Sequence, residues 1–212
     1  MKTKDRIAEA ARVLFNEQGY GAVTTAALAE HCAISEGNLW YHFKTKRALL
    51  DALGERFAAS IETRLTLVPQ GDPVTAYARL LGALMEEFRA FRFLYRDHSG
   101  YGEHPAVIAQ NAPRWLHQTF AQLALHLSAL VEAALLDWPR ERLDDLAVNA
   151  TIILRYGLEH YRELGEPTGT GTGVVERTLR RHLTLFEHKL APVAAKRLHR
   201  ALAQIETAAL AA

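Results

Sequence analysis

Residues 34–46 read ISEGNLWYHFKTK. Ser35 stands where a helix would begin, Gly37 and Asn38 follow, and Trp40, Tyr41 and His42 bring three large polar-edged rings before Lys44 and Lys46. A helix this short normally commits its large side chains to a core. Here the rings run directly into cations, so the question is which surface they serve.

The residues upstream supply the core. Ile7, Ala11, Leu14 and Phe15 recur at i, i+4, i+7 and i+8, one apolar stripe of an amphipathic helix. Gly19 and Gly21 end that helix, since glycine accepts the left-handed backbone of a helix C-terminus. Thr24 is the expected N-cap of a second helix over about Thr25 to His31, and Ser35 caps a third that ends near Phe43. Helix, tight turn and short capped helix make a helix-turn-helix arrangement. Leu28, Ala29, Ile34, Leu39 and Phe43 can lock this pair against Leu14 and Phe15. That assignment leaves Glu36, Gly37, Asn38, Trp40, Tyr41 and His42 outward or partly so.

Downstream the period stays helical. Thr45 caps a long fourth helix, KRALLDALGERFAASIETRLTLV, with Gly54 as a candidate weak point inside it. PQGDP (69–73) marks a boundary or sharp turn, and a helix is predicted from Val74 to about Arg96. A short helix follows DHSGYGEHP, then a long one begins after Pro113 and is stopped by Pro139. Two more span Leu143–Leu164 and Val174–Leu190, separated by the low-complexity run GEPTGTGTG, and a tail helix starts at Val193. No period-two pattern and no internal repeat is visible. The chain reads as all-α.

Composition excludes some classes and leaves others open. With 212 residues, 49% hydrophobic and 23% charged, the chain has the make-up of a soluble globular protein with a substantial core. No apolar run reaches the roughly 18 residues that cross a bilayer, so no membrane partner is expected. The start, MKTKDRIAEAARVLF, interleaves charges at helical spacing, unlike a secretory signal. Cys32 is the single cysteine, which rules out an internal disulfide and suggests a reducing, cytoplasmic setting. The net charge of +1 does not advertise a nucleic-acid binder, because Asp5, Glu9, Glu17, Glu30 and Glu36 offset the early lysines and arginines. Any DNA contact must rest on local placement.

The outward set has the chemistry for that. A DNA major groove accepts one helix, and side chains from its N-terminal half read base edges. Tyr and His donate to phosphate, and a ring face packs on a thymine methyl. Lys46, in the first turn of the next helix, lies beside free backbone N–H groups, a doubly favourable place for a phosphate. The competing reading for Trp40 and Tyr41 is packing against the fourth helix. Glu36 is either an acceptor for a cytosine amine or only a charge at a helix N-terminus.

VTTAALAEHCAISEGNLWYHFKTKRALLDAL resembles the DNA-binding domain of the TetR/AcrR family of bacterial transcriptional regulators. Phe15, Gly19-Tyr20, Thr24-Thr25, Leu28-Ala29, Ile34-Ser35, Gly37, Leu39, Tyr41-His42-Phe43, Lys46 and Leu49 carry the resemblance, over roughly residues 4–56. It implies an N-terminal three-helix domain over residues 1–46, extending to about 60 with the connecting helix, and an all-helical effector-binding and dimerisation domain over 47–212. It also implies a homodimer on near-palindromic double-stranded operator DNA. By position, Thr25, Ser35, Glu36, Gly37, Asn38, Trp40, Tyr41, His42 and Lys46 are the DNA-contact candidates. Two residues depart from the family pattern. Ala26 stands where a polar or basic residue is frequent. Ala33 replaces a turn glycine, at about 1 kcal/mol of strain if it takes the left-handed backbone.

The remainder offers weaker signals. Phe88, Phe91 and Tyr95 share a helical face, and with His98, Tyr101, Trp115, His117 and Tyr156 they form a candidate effector site; the competing reading is plain core. Arg89, Arg92 and Arg96 recur on another face, where they are expected to be solvated or to meet Glu86 and Glu87. Ile152, Ile153, Tyr156, Leu179, Leu183 and Phe186 are the candidate dimer contacts, the last two major helices pairing with their symmetry mates as a four-helix interface. The ten histidines and Cys32 show no metal-ligand spacing, and neither a cofactor nor a nucleophile–base constellation is visible, so no metal, cofactor or enzyme activity is expected. The leading expectation is a repressor released from its operator by an unidentified small molecule. An architectural DNA-bound protein recruiting a partner is the alternative, and a helical enzyme or carrier for an apolar ligand stands behind it.

Overall fold

The computed structural model describes residues 3–96 and 104–210. Among these the elements are helical: α1 Thr3–Gln18, α2 Thr25–His31, α3 Glu36–His42, α4 Lys46–Leu65, α5 Pro73–Ala90, α6 Arg92–Arg96, α7 Ala106–Glu132, α8 Leu143–Glu163, α9 Val174–Leu183 and α10 Pro192–Leu210. An isolated antiparallel bridge joins Leu136 to Leu190. The chain divides into two compact units, Met1–Glu62 with Glu87–Pro113, and Thr63–Glu86 with Arg114–Ala212. That differs from a linear division after residue 46, because the first unit runs on to Glu62 and takes in Glu87–Pro113 as well.

In the first unit the stripe of α1 buries Ile7, Ala11, Leu14 and Phe15 as its spacing requires. Gly19 ends the helix at φ 86°, in the left-handed region. The Phe15 ring meets Tyr20 at 5.1 Å and Phe93 at 5.5 Å between centroids, both edge-on.

The helix predicted from Val74 to Arg96 is two helices. It breaks at Phe91, and the Asn16 side chain occupies the break: its Nδ2 donates to the Ala90 carbonyl (2.8 Å), and its Oδ1 accepts from the Phe93 N–H (3.1 Å). Two of the three arginines expected to be solvated or to meet Glu86 and Glu87 bond backbone carbonyls of α1. Arg92 Nε donates to the Asn16 carbonyl at 3.1 Å, and Arg96 donates to the carbonyls of Asn16 (3.2 Å) and Phe15 (3.0 Å). Carbonyls at the end of α1 have acceptor capacity to spare: Phe15 O takes the Gly19 N–H at 3.0 Å and still has a lone pair for Arg96.

One further expectation changes. Pro113 does not start a helix; it lies inside α7, which runs through it. Gly54, read as a candidate weak point, also has a packing role: a Cβ there would come within 2.7 Å of Pro105 Cβ, so the glycine is a close-approach position in α4.

In the second unit α8 and α9 pack with Gly157 under Thr178, where a Cβ would lie 2.3 Å from Thr178 Cγ2. α9 buries Val174, Val175, Thr178, Leu179, His182 and Leu183. It stops at Leu183, before the predicted Leu190, and a 3-10 turn at Glu187–Lys189 follows. α7 ends at Glu132, ahead of Pro139, as the chain takes a left-handed step at Ala134 (φ 54°) and Leu135 N–H returns to the Leu130 carbonyl at 2.9 Å. Tyr77 Oη and His182 Nε2 are 2.6 Å apart, with both side chains fully buried. The C-terminus of α4 is closed by Gln122, whose Nε2 donates to the Arg64 and Leu67 carbonyls (both 2.8 Å), while Arg64 donates back to Gln122 Oε1 at 2.7 Å and to Thr119 Oγ1 at 3.0 Å.

Candidate nucleic-acid interface

α2 and α3 are set by local chemistry. Thr24 Oγ1 accepts from the Ala27 N–H at 3.1 Å, and Ser35 Oγ accepts from the Asn38 N–H at 3.2 Å. Each cap satisfies an orphan donor of a first turn, worth about 1 kcal/mol. Between them the chain reverses through Ala33 at φ 52°, the left-handed step that its place in the turn demands. Ile34 N–H then bonds the Ala29 carbonyl at 3.0 Å, closing the turn. Alanine here carries the small strain expected of a non-glycine residue.

α3 buries Leu39, and Phe43 just beyond it, over Leu28 and Ala29. The rest of the helix faces away. Ser35, Glu36, Gly37 and Asn38 are exposed, Trp40 and His42 are half-buried, and Tyr41 is 74% exposed. Packing against the protein's own body therefore leaves Tyr41 outside. Its ring stands edge-on to His42 at 5.2 Å. A Cβ on Gly37 would meet nothing nearer than Ser35 Oγ at 3.9 Å, so no internal clash calls for glycine there. What its absence does is keep the backbone at the start of α3 open to approach.

Thr25, at the start of α2, donates through Oγ1 to Glu36 Oε2 at 3.3 Å, joining the two helix beginnings. Thr45 caps α4 by accepting from the Ala48 N–H at 2.9 Å. Lys46 has an internal partner. Its Nζ donates to the Tyr20 carbonyl and lies 4.2 Å from the Tyr20 ring centroid. Burial disfavours its charge and lowers the ammonium pKa below the usual lysine value. The cation is thus seated on the α1–α2 connection. Cys32 is buried beneath the turn, its thiol pushed up by burial and eased back by Arg6.

The other candidates fall in both units. In the first unit Phe88 and Phe91 are buried, and with Tyr95 they surround Phe57: Phe57–Phe91 is 5.3 Å, Phe57–Tyr95 5.4 Å and Phe88–Tyr95 5.2 Å. Tyr95 Oη donates to Glu87 Oε1 at 3.2 Å. This is an aromatic core cluster with one polar edge. Trp115 is buried in the second unit, and His117 and Tyr156 are exposed there. His98 and Tyr101 lie outside the described residues.

Of the dimer candidates, Ile152 (52%) and Tyr156 (55%) are exposed and Ile153 is half-buried, while Leu179, Leu183 and Phe186 are fully buried within their own unit. The last three are corrected accordingly: α9 turns its apolar face inward against α8, and no side-chain surface is left for a partner. Val148 instead extends the exposed stripe of α8 at i, i+4, i+8 with Ile152 and Tyr156.

Sequence reasoning missed Asn16. A polar residue beside Phe15 near the end of an amphipathic helix gives no hint of a partner more than seventy residues away. Among the described residues no group of His, Cys, Asp or Glu could hold a metal ion, and no helix is long and apolar enough to cross a membrane.

Comparison with known proteins agrees with this fold. Residues 7–53 match the model described as bacterial regulatory proteins, tetR family, and residues 56–198 match that of bacterial transcriptional repressors. The tetracycline repressor protein class A from transposon 1721 of Escherichia coli is 37% identical over 91 residues, 43% of this chain and 40% of that protein. The HTH-type transcriptional regulator UidR of Escherichia coli K12 is 43% identical over 51 residues, 24% of this chain and 26% of its own length. The chain therefore matches well under half the length of each of these relatives. Among solved structures, a TetR-family transcriptional regulator from Marinobacter aquaeolei VT8 superposes with a TM-score of 0.75 at 22% identity, covering 98% of both chains.

Proposed function

This chain belongs to the tetR family of bacterial regulatory proteins, and from that premise we propose that it is a homodimeric repressor that binds operator DNA through α3 and leaves it when a small molecule binds the helical remainder. The observation that carries the reading is the two-sided character of α3. Its inner face is closed by Leu39 and Phe43, and its outer face presents Asn38, Trp40, Tyr41 and His42 around an unobstructed Gly37. A helix presented in this way fits a major groove, where Asn38 can pair with an adenine edge and Tyr41 and His42 with phosphates. Glu36 and Thr25, already bonded to each other, are the neighbouring contacts, Ser35 opens the helix, and Lys46 supplies the adjacent cation.

Two copies must present α3 about one helical turn of DNA apart, roughly 34 Å. We assign the pairing surface to the exposed Val148, Ile152 and Tyr156 stripe of α8, with Ile153 at its margin. Release follows from geometry: an effector that favours a different spacing of the two α3 helices loses one set of half-site contacts. The setting is the cytoplasm, where the DNA is. The architectural alternative shares the DNA chemistry but needs no effector; the enzyme alternative has no observation in its favour.

In-vitro selection of duplex DNA from a random pool by the full chain tests the proposal. Recovery of inverted half-sites spaced by one helical turn is the expected result. Sites without two-fold symmetry would remove the dimer, and no enrichment at all would remove DNA binding.

A further inference from the structure

We infer that Asn16 is a positioning residue for DNA binding: its amide fastens the break between α5 and α6 onto the end of α1, and so helps hold the recognition helix in place. The inference rests on the operator-binding reading above and adds a residue that does not face DNA.

α5 ends at Ala90, leaving terminal carbonyls without intrahelical donors, and α6 has five residues, too few to satisfy its own first N–H groups. Asn16 answers both needs at once. Nδ2 donates to Ala90 O at 2.8 Å and to Arg89 O at 3.4 Å, while Oδ1 accepts from Phe93 N at 3.1 Å. A flipped amide would set its oxygen against two carbonyls and its NH₂ against an N–H, so the network fixes the orientation. The side chain is 7% exposed, and water is no ready substitute.

The fastening is reciprocal. Arg12 Nη1 donates to Ala90 O at 2.7 Å, and Arg92 and Arg96 cap the Phe15 and Asn16 carbonyls at the end of α1. From this corner a set of contacts leads toward the DNA-facing surface. Phe15, next to Asn16, touches Phe93 on one side and Tyr20 on the other. The Tyr20 carbonyl holds Lys46, which opens α4 four residues after α3 ends. A shift of the corner relative to α1 thus meets hydrogen bonds at Asn16, packed rings at Phe93, Phe15 and Tyr20, and a further hydrogen bond at Lys46, the first residue of the helix that follows α3.

Thermodynamic linkage separates positioning from mere scaffolding. If the corner and the DNA contacts are coupled, DNA must steady the corner as much as the corner steadies DNA binding. The experiment uses the full chain and DNA selected by it. Wild type, Asn16→Ala and Arg56→Ala are compared well below their unfolding midpoints; the last removes the 2.8 Å Arg56–Asp5 ion pair elsewhere in the same unit. Affinity and hydrogen exchange at the Phe93 amide are read with and without DNA.

Expected are a tenfold or greater loss of affinity in Asn16→Ala, a change within twofold in Arg56→Ala, and DNA-induced slowing of Phe93 exchange in wild type that Asn16→Ala abolishes. Asn16→Ala binding within twofold of wild type, or a loss no larger than that of Arg56→Ala, overturns the inference. If Asn16→Ala does not fold, Asn16→Asp takes its place. It keeps the acceptor for Phe93 and loses the donor to Ala90, and at least threefold weaker binding is expected; unchanged binding overturns the inference. Failure of wild type to select any DNA brings down both readings, whereas selected DNA that binds all variants alike brings down this one alone.

Discussion

α3 and α9 are both short helices, and they spend their side chains in opposite ways. α3 buries Leu39 and leaves Glu36, Gly37, Asn38 and Tyr41 exposed. α9 buries six residues, among them Thr178 and His182, at no exposure. Their ends differ to match. α3 is opened by a bonded Ser35 cap, whereas α9 begins after Gly173 with no side-chain cap. A helix of seven to ten residues is unstable alone, so each needs outside support. α9 draws it from packing, and α3 from its cap, its turn and one apolar contact. That economy leaves the outer face of α3 available for a second molecule.

The largest effect expected from this contrast is in α9. Leu179→Ala removes a side chain with no exposure and should cost about 2–5 kcal/mol of stability, seen in chemical unfolding, while DNA affinity per folded molecule stays put. A loss below that range would mean that α9 is less tightly packed than its burial implies.

The buried imidazole comes next. Burial holds the His182 pKa down at about 3, against an ordinary 6.5 in the unfolded chain. Above 6.5 neither state takes up a proton, and the contribution is present in full. As pH falls from 6.5 toward 3 the unfolded chain binds a proton that the folded one refuses, so stability drops by about 1.4 kcal/mol per pH unit. Unfolding curves between pH 7 and 5 should be flatter by that amount in His182→Gln; equal slopes would refute the assignment.

On α3 the same kind of change should act on binding and spare the fold. Asn38→Ala is expected to relax base preference at one or two positions by about 1–3 kcal/mol with the unfolding midpoint unmoved. Gly37→Ala should raise stability by up to about 1 kcal/mol, since a Cβ has free space and alanine favours helix, yet weaken DNA binding by crowding the approach. Were Gly37→Ala to bind as well as wild type, the open backbone would have no role.

The smallest effect tests Lys46. As a phosphate contact it adds about one unit to the slope of log affinity against log salt, which Lys46→Ala would remove. Retained on the Tyr20 carbonyl, it would leave the slope unchanged and cost stability instead.

The sequence disclosed most of the first sixty residues. Thr24, Ser35 and Thr45 announced three helix beginnings and Gly19 an end, all matters of a few consecutive residues, whereas the left-handed step at Ala33 came into view only through the family resemblance. The candidate DNA face was legible for the same reason, because the apolar spacing of α3 names the inner side and leaves the outer by subtraction. The effector and dimer candidates were less legible. An apolar stripe says that a face is covered but not by what: Leu179, Leu183 and Phe186 are covered from within their own unit, and Val148, Ile152 and Tyr156 are left open.

The amino-acid sequence by itself determined an all-helical chain, its helix-turn-helix and the residues that turn outward there, because caps, turns and periodicity act between neighbours within about one helical turn. Only the tertiary structure decided that α5 breaks at Phe91, that Arg92 and Arg96 cap α1, and that Lys46 rests on Tyr20. Asn16 and Phe93 are 77 residues apart, and no local preference of either encodes their bond. It forms because packing brings two helix ends with complementary unmet hydrogen bonds to the same place.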